Sequence, residues 1–312
     1  MAMSLTGVRL TSACLLFVIV TAMAPETGGE TVAKPWWEWK SVKVAAVQMA
    51  GGEVDTVDKM VFYVRRAAAD DAQLIAFPEY ALGRFSIPCA IVDRIAQAAR
   101  EHRIYVVVAG WEEFEPGAID ARKPGAFSNT TLILGRDGSI VGKFSKVHGA
   151  VGEPPYFHPP NPDEPEHIME AGAGYPTYQL DFGRIGVMTC YDGYFAESAD
   201  CLSLNGAEII IWNNGRNGSI EDYLVKADMF RSFCAIVATN LAQGEGTMIA
   251  TWPSQILAKV PGTGEHYITA EIDLEHLREH RANSRMHHQR RPEVYGPIVQ
   301  QHEPWAVYER NE

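Results

Sequence analysis

Apolar runs and stretches of helical spacing alternate along the chain from residue 42 almost to its end. Residues 42–49 are apolar at most positions (Val44, Ala45, Ala46, Val47), as a strand buried on both faces requires. Val57, Met60, Val61, Val64 and Ala68 recur at roughly three- and four-residue intervals and predict a helix over 57–69. Residues 74–77 predict a second buried strand, stopped by Pro78, and 91–102 and 105–109 a second helix and a third strand. Two runs around Arg136-Asp137-Gly138-Ser139 predict a hairpin over 128–147, and Asp181-Phe182-Gly183 turns another over 178–189. A helix from Phe195, a strand at 208–212, a helix over 220–234 and strands at 236–240, 254–259 and 267–273 follow. The basic tail, 277–291, reads as helical or extended. Residues 151–174 carry many prolines and no period, so they read as a long loop, and loops of that length are commonly functional. This rhythm indicates an α/β protein with helices over mostly buried sheet, the hairpins making the sheets mixed.

The first 24 residues stand outside that rhythm. Arg9 precedes the apolar block Ala13-Cys14-Leu15-Leu16-Phe17-Val18-Ile19-Val20, and Ala22-Met23-Ala24 precedes Pro25. This is the plan of a secretory signal peptide, and the block is short for a membrane span. We therefore expect a signal over 1–24, a linker over 25–40 and one domain over 41–312. The mature protein would be secreted or periplasmic, with no membrane span after signal removal; a misassigned start would leave it cytoplasmic.

Charge excludes more than it reveals. Net charge is −12, from 27 basic and 39 acidic residues, which disfavours a nucleic-acid partner. No GxGxxG or GxxxxGK[ST] loop is present, so a nucleotide site has little support. Beyond the signal the cysteines are Cys89, Cys190, Cys201 and Cys234, with no C-x-x-C pair. With one thiol reserved as a nucleophile, the remaining three do not form a complete disulfide set. Asn129-Thr130-Thr131 and Asn217-Gly218-Ser219 match the glycosylation sequon.

Three residues end predicted strands. Ile185 to Met188 delivers Cys190 into the turn-forming Tyr191-Asp192-Gly193, ahead of a helix whose N–H groups and dipole would favour thiolate. Glu79 follows Phe77-Pro78, where the proline ends the ladder. Lys146 ends a hairpin strand in Lys143-Phe144-Ser145-Lys146-Val147-His148. Singly, each has an ordinary reading: a core thiol, a solvated carboxylate, an exposed lysine.

Together, the three segments resemble the glutamate, lysine and cysteine motifs of the nitrilase superfamily of carbon–nitrogen hydrolases. The cysteine motif is Gly183-Arg184-Ile185-Gly186-Val187-Met188-Thr189-Cys190-Tyr191-Asp192, then Phe195-Ala196-Glu197. The likeness runs from about Val42 to Pro297 and includes Ala270-Glu271-Ile272-Asp273-Leu274 and Arg290-Arg291-Pro292. It implies a four-layer α-β-β-α sandwich of two mixed sheets, a homodimer or larger homo-oligomer, and a Glu79–Lys146–Cys190 triad. Glu79 would be the general base and Cys190 the nucleophile; Lys146 and the Tyr191 N–H would stabilise the oxyanion. This chemistry needs no metal or organic cofactor. The family often adds a second loop glutamate; spacing back from Gly174-Tyr175-Pro176 selects Glu164, then Glu166, then Glu153. One departure stands out: where the family often shows Arg-Ala-x-Glu-Asn, this chain reads Asp228-Met229-Phe230-Arg231-Ser232.

The implied substrate is a small linear amide or N-carbamoyl compound. Nitrile-cleaving members carry Trp-Glu after the nucleophile, whereas here Tyr191-Asp192 follows Cys190. A nitrilase, an acyltransferase and a catalytically idle binding relative are the alternatives; the lipoprotein acyltransferases carry several membrane spans that this chain lacks. Pocket walls are expected from Tyr80, residues 151–165, Tyr191, Tyr194 and the segment Trp212-Asn213-Asn214-Gly215-Arg216. Within it Asn214 and Arg216 are candidate substrate contacts, Arg216 either as a carboxylate clamp or as a plain surface residue.

Overall fold

The computed structural model describes residues 34–52, 55–114, 127–150 and 169–300. The expected signal segment and the loop candidates Glu153, Glu164 and Glu166 lie outside the described residues.

The apolar runs pair into two sheets. Among the described residues, Ser41–Gln48 (β1), Leu74–Ala76 (β2), Arg84–Phe85 (β3), Tyr105–Glu113 (β4), Phe127–Leu134 (β5), Ile140–Ser145 (β6) and His266–Asp273 (β13) make the first. Its order is β13-β1-β2-β4-β5-β6, with β3 beside β4. The second is built from Thr177–Gln179 (β7), Arg184–Thr189 (β8), Ile209–Asn213 (β9), Ala235–Thr239 (β10), Met248–Thr251 (β11) and Gln255–Lys259 (β12). Its order is β12-β11-β10-β9-β8-β7. In the first sheet β1, β2 and β4 run parallel; in the second β8, β9 and β10 do, with antiparallel strands outside them. The mixed sheets expected from the hairpins are present.

Side-chain alternation distributes the apolar residues into three cores. Ala45, Val47, Ile75, Val106, Val108 and Leu132 face the helices Thr56–Ala69 (α1) and Ala90–His102 (α2). The opposite faces, through Val44, Ala46, Val107, Ile133, Val187, Ile211 and Val237, pack sheet against sheet. Met188, Ile210, Trp212 and Ile236 face Ala196–Leu204 (α3) and Asp222–Ser232 (α4). Strands covered on both faces must be apolar at every position, which is why β9 and β10 read as unbroken runs. The result is the four-layer α-β-β-α sandwich. The helix Leu274–Ala282 (α5) follows β13 directly, and Arg285–His288 (α6) comes next.

Residues 34–40 join this body. Trp39 packs edge-on to Phe182 with centroids 6.2 Å apart, and its carbonyl accepts from Arg278 Nη1 at 2.6 Å. Two strands escaped the sequence reading: β11, four buried residues with no alternation, and β3, two residues long. Cys89, Cys190, Cys201 and Cys234 are free thiols. No helix among the described residues is long and apolar enough to cross a membrane.

Candidate active site

The carboxyl ends of parallel strands are where an open α/β sheet leaves room for a ligand. Here such ends from both sheets converge. Glu79 follows β2, Cys190 follows β8 and the Asn214–Arg216 segment follows β9; Lys146 stands just beyond the antiparallel β6. Polar bonds join the two sheets at this end: Asn213 Nδ2 donates to Thr131 Oγ1 at 3.0 Å and Thr239 Oγ1 to the Phe77 carbonyl at 3.1 Å.

Glu79 and Lys146 are each only 1% exposed, and Lys146 Nζ donates to Glu79 Oε1 at 3.0 Å. Asn129 Nδ2 donates to the same oxygen at 2.8 Å. The other carboxylate oxygen, Oε2, is buried and accepts no hydrogen bond from the described residues. It lies against Gly215, where an added Cβ would come within 2.8 Å of it and 2.9 Å of the Tyr80 ring. Only glycine lets the β9 loop approach this closely.

Cys190 has φ of 45° and Tyr80 φ of 63°, both in the left-handed region that non-glycine residues rarely adopt. Each sits at a sharp exit from a strand, and such strain gathers at functional sites. Cys190 opens a short 3-10 turn, Cys190–Tyr194, whose backbone passes over the Trp212 indole; a Cβ on Gly193 would collide with that ring. Trp212 Nε1 donates to the Cys190 carbonyl at 3.0 Å.

The thiol is not the thiolate expected from a helix N-terminus. Burial, with the Glu79 charge beside it, pushes the Cys190 thiol up to about 12. Lys146, Arg216 and a hydrogen bond from the Gly215 backbone pull it down without prevailing. Helix α3 begins only at Ala196, and desolvation outweighs any pull from its terminus. What the arrangement holds ready is a neutral thiol between a carboxylate and an ammonium group.

Asp192 locks the cysteine turn to the lysine strand. It is fully buried; Oδ2 accepts the Thr189 N–H at 3.0 Å and Oδ1 the His148 N–H at 2.8 Å. His148 Nδ1 lies 2.9 Å from Oδ1, and its ring stacks on Phe195 with centroids 3.8 Å apart. Because His148 is two residues from Lys146, these bonds set lysine against thiol.

Of the other expected contacts, Tyr191 and Tyr194 are exposed beside the turn and Asn214 is fully buried. Asn214 Nδ2 donates to the Trp212 carbonyl at 2.9 Å, while its Oδ1 accepts no hydrogen bond. Arg216 is largely buried rather than a plain surface residue, and it is paired to Glu221. The sequence reading missed Glu221, and it named Asn129, Asp192 and Gly215 without the parts they play here. Asn129, met first as a sequon, is 0% exposed and spent on Glu79. The one signal for it was its alternation with Ile133, which puts a polar side chain on the inward face of a fully buried strand.

Compared with known proteins, residues 43–282 match the carbon–nitrogen hydrolase family. The chain is 27% identical over 262 residues to an omega-amidase of Xenopus tropicalis, covering 74% of this chain and 88% of that protein. It is 24% identical over 297 residues to a citrullinase of Francisella tularensis, covering 84% of this chain and 99% of the relative. A solved carbon–nitrogen hydrolase from Helicobacter pylori superposes with a TM-score of 0.67 at 17% identity, over 84% of this chain and 99% of that one.

Proposed function

Because the chain belongs to the carbon–nitrogen hydrolase family, we propose that it cleaves the non-peptide C–N bond of a small linear amide or N-carbamoyl compound, with Glu79, Lys146 and Cys190 as its triad. The observation that carries this reading is the buried Lys146–Glu79 contact at 3.0 Å, with a carboxylate oxygen left unused beside a raised thiol. The relatives named omega-amidase and citrullinase support the substrate class.

The contacts of Glu79, Lys146 and Cys190 support the following steps. Since the thiol holds its proton at neutral pH, Glu79 takes it as the sulfur attacks the carbonyl carbon. A tetrahedral oxyanion then forms, stabilised by Lys146 Nζ and the Tyr191 N–H. Collapse expels the amine, which leaves with the proton from Glu79, and a thioester remains on Cys190. Glu79 next deprotonates a water that attacks the thioester, releasing the acid and restoring the thiol. Lys146, hydrogen-bonded to Glu79, offsets each negative charge formed beside it.

The test is ammonia release across an aliphatic amide, a ureido acid and the matching nitrile, with mass spectrometry of quenched enzyme. Wild type is expected to turn over a carbonyl substrate and carry an acyl adduct on Cys190. Cys190→Ala should fold, keep the wild-type circular dichroism and release no ammonia. Turnover by a folded Cys190→Ala protein, or a nitrile preferred over every carbonyl compound, would overturn the reading.

A further inference from the structure

The loop after β9 holds a charged triangle that the steps above do not use. Arg216 follows Gly215, and its side chain is only 10% exposed. Its guanidinium lies between two aromatic rings, 4.9 Å from the Tyr194 centroid and 5.0 Å from that of Trp212. Nη1 pairs with Glu221 and reaches the Tyr194 hydroxyl at 3.2 Å. Nη2 lies 3.4 Å from the carbonyl oxygen of Cys190 itself. Tyr194 completes the triangle by donating to Glu221 at 2.7 Å. Arg216 Nε is buried and makes no hydrogen bond.

The triangle is held rigidly on one side and open on the other. Arg216 N–H donates to Asn240 Oδ1 at 2.9 Å, and Asn240 Nδ2 donates to the Gly218 and Glu245 carbonyls, each at 2.9 Å. The Glu221 side chain is 24% exposed and Tyr194 is 48% exposed, so ligand atoms can reach both.

Charge balance decides what fits. A singly anionic substrate on Arg216 would share the guanidinium with Glu221 and meet the repulsion of that carboxylate, which is costly in a partly desolvated site. A cationic substrate would leave the guanidinium unpaired in the same way. A zwitterion satisfies both: its carboxylate meets the guanidinium fork and its ammonium meets Glu221.

We propose that Arg216 and Glu221, bridged by Tyr194, form a headgroup subsite for a free α-amino acid, so that the substrate is an α-amino acid whose side chain ends in a carboxamide or ureido group. The inference rests on the carbon–nitrogen hydrolase reading of Cys190. Water adds across the terminal C–N bond, the nitrogen leaves as ammonia, and the headgroup is unchanged.

Four compounds with the same terminal amide test it: the α-amino acid, its des-amino acid, its decarboxylated amine and the uncharged amide of equal length. Ammonia release gives kcat/KM for wild type, Glu221→Gln and Arg216→Gln, each checked for fold by circular dichroism. Wild type should prefer the amino acid at least tenfold over each analogue. Glu221→Gln should lose most of that preference through KM and gain on the des-amino acid. Arg216→Gln should shift instead toward the amine. Relative rates unchanged in both variants would overturn the subsite while leaving the hydrolase reading intact. Should a variant fail to fold, the wild-type order decides: a des-amino acid hydrolysed as well as the amino acid sinks the proposal. If wild type acts on none of the four and no adduct forms on Cys190 with any carbonyl compound, the hydrolase reading falls, and the subsite with it.

Discussion

Two buried acid–base pairs stand at opposite strand ends of this molecule, and they are built differently. Glu208 precedes β9, at the amino end of the second sheet, and faces Arg278 from α5. Arg278 Nε donates to Oε1 at 2.5 Å and Nη2 to Oε2 at 3.2 Å; the other guanidinium donors reach the Trp39 and Phe182 carbonyls, and Oε2 also accepts the Arg184 N–H. Both carboxylate oxygens are occupied. Glu79, at the carboxyl end of β2, spends one oxygen on Lys146 and Asn129 and leaves the other without a partner. A buried polar atom left unpaired costs stability, so its presence calls for an explanation. The finished pair ties α5 to the sheet; the unfinished one leaves a carboxylate oxygen open, with the Glu79 charge felt by the Cys190 thiol.

Mutating the unfinished pair should break activity first. Glu79→Gln removes the proton acceptor and is expected to cut kcat by roughly 10²–10⁴-fold, the span of general acid–base catalysis. Lys146→Ala removes an oxyanion donor and should cost about 10²–10³-fold in kcat. Lys146→Ala should stay slow even in alkaline buffer, because the missing element is positive charge rather than a proton. Steady-state ammonia release from pH 6 to 10 measures both, and near-normal turnover in Lys146→Ala would erase the contrast.

The finished pair should answer in stability instead. Glu208→Gln leaves Arg278 short of its charge partner, and breaking one side of a buried pair costs about 3 kcal/mol. Thermal and urea melts should show a lower midpoint, while kcat of the folded fraction stays within about twofold of wild type. A large fall in kcat with an unchanged melt would mean that Glu208 acts on the reaction after all.

Much of this contrast was legible in the sequence, and the rest was hidden for physical reasons. Glu79, Lys146 and Cys190 were picked out because each ends a predicted strand and the three segments together resemble one family's motifs. The α/β class and its mixed sheets followed from the alternation, and the four-layer sandwich from the resemblance; β11 escaped because four residues buried on both faces carry no period. The thiol's true state was beyond local reading. The helix that follows Cys190 is close in sequence, but the burial and the Glu79 charge that outweigh it come from the packing of two sheets. Asn129 looked like a sequon because sequence shows the motif and not the 0% exposure. Arg216 invited a choice between clamp and surface; its pairing with Glu221 depends on how the loop folds back over Tyr194.

A third pair sharpens the comparison and carries the smallest expected effect. Asp228 and Arg231 are ion-paired one helical turn apart on α4, in the segment that departs from the family's Arg-Ala-x-Glu-Asn pattern. Like Glu79, Asp228 keeps one buried oxygen, Oδ2, without a partner, and Arg231 Nε is unpaired too. Unlike Glu79, it has no thiol to serve, so its incompleteness should appear only as pH-dependent stability. Burial pushes the Asp228 carboxyl up to about 7, against the opposing pull of Arg231. Its folded pKa therefore lies above its ordinary value of 3.8, and the folded state holds the proton more tightly than the unfolded chain. That contribution is fully present below the unfolded pKa and is lost as pH rises towards 7. Asp228→Asn imitates the protonated form, so its melting temperature relative to wild type should rise between pH 4 and 7 and level off above. A gain that grows with pH is expected, since the variant has no carboxyl group to ionise in the buried site. The readout is paired thermal melts of variant and wild type at pH 4.5 and 8. A difference that is the same at both would mean that Asp228 is ionised and fully paired throughout, and the second unfinished pair would be a finished one.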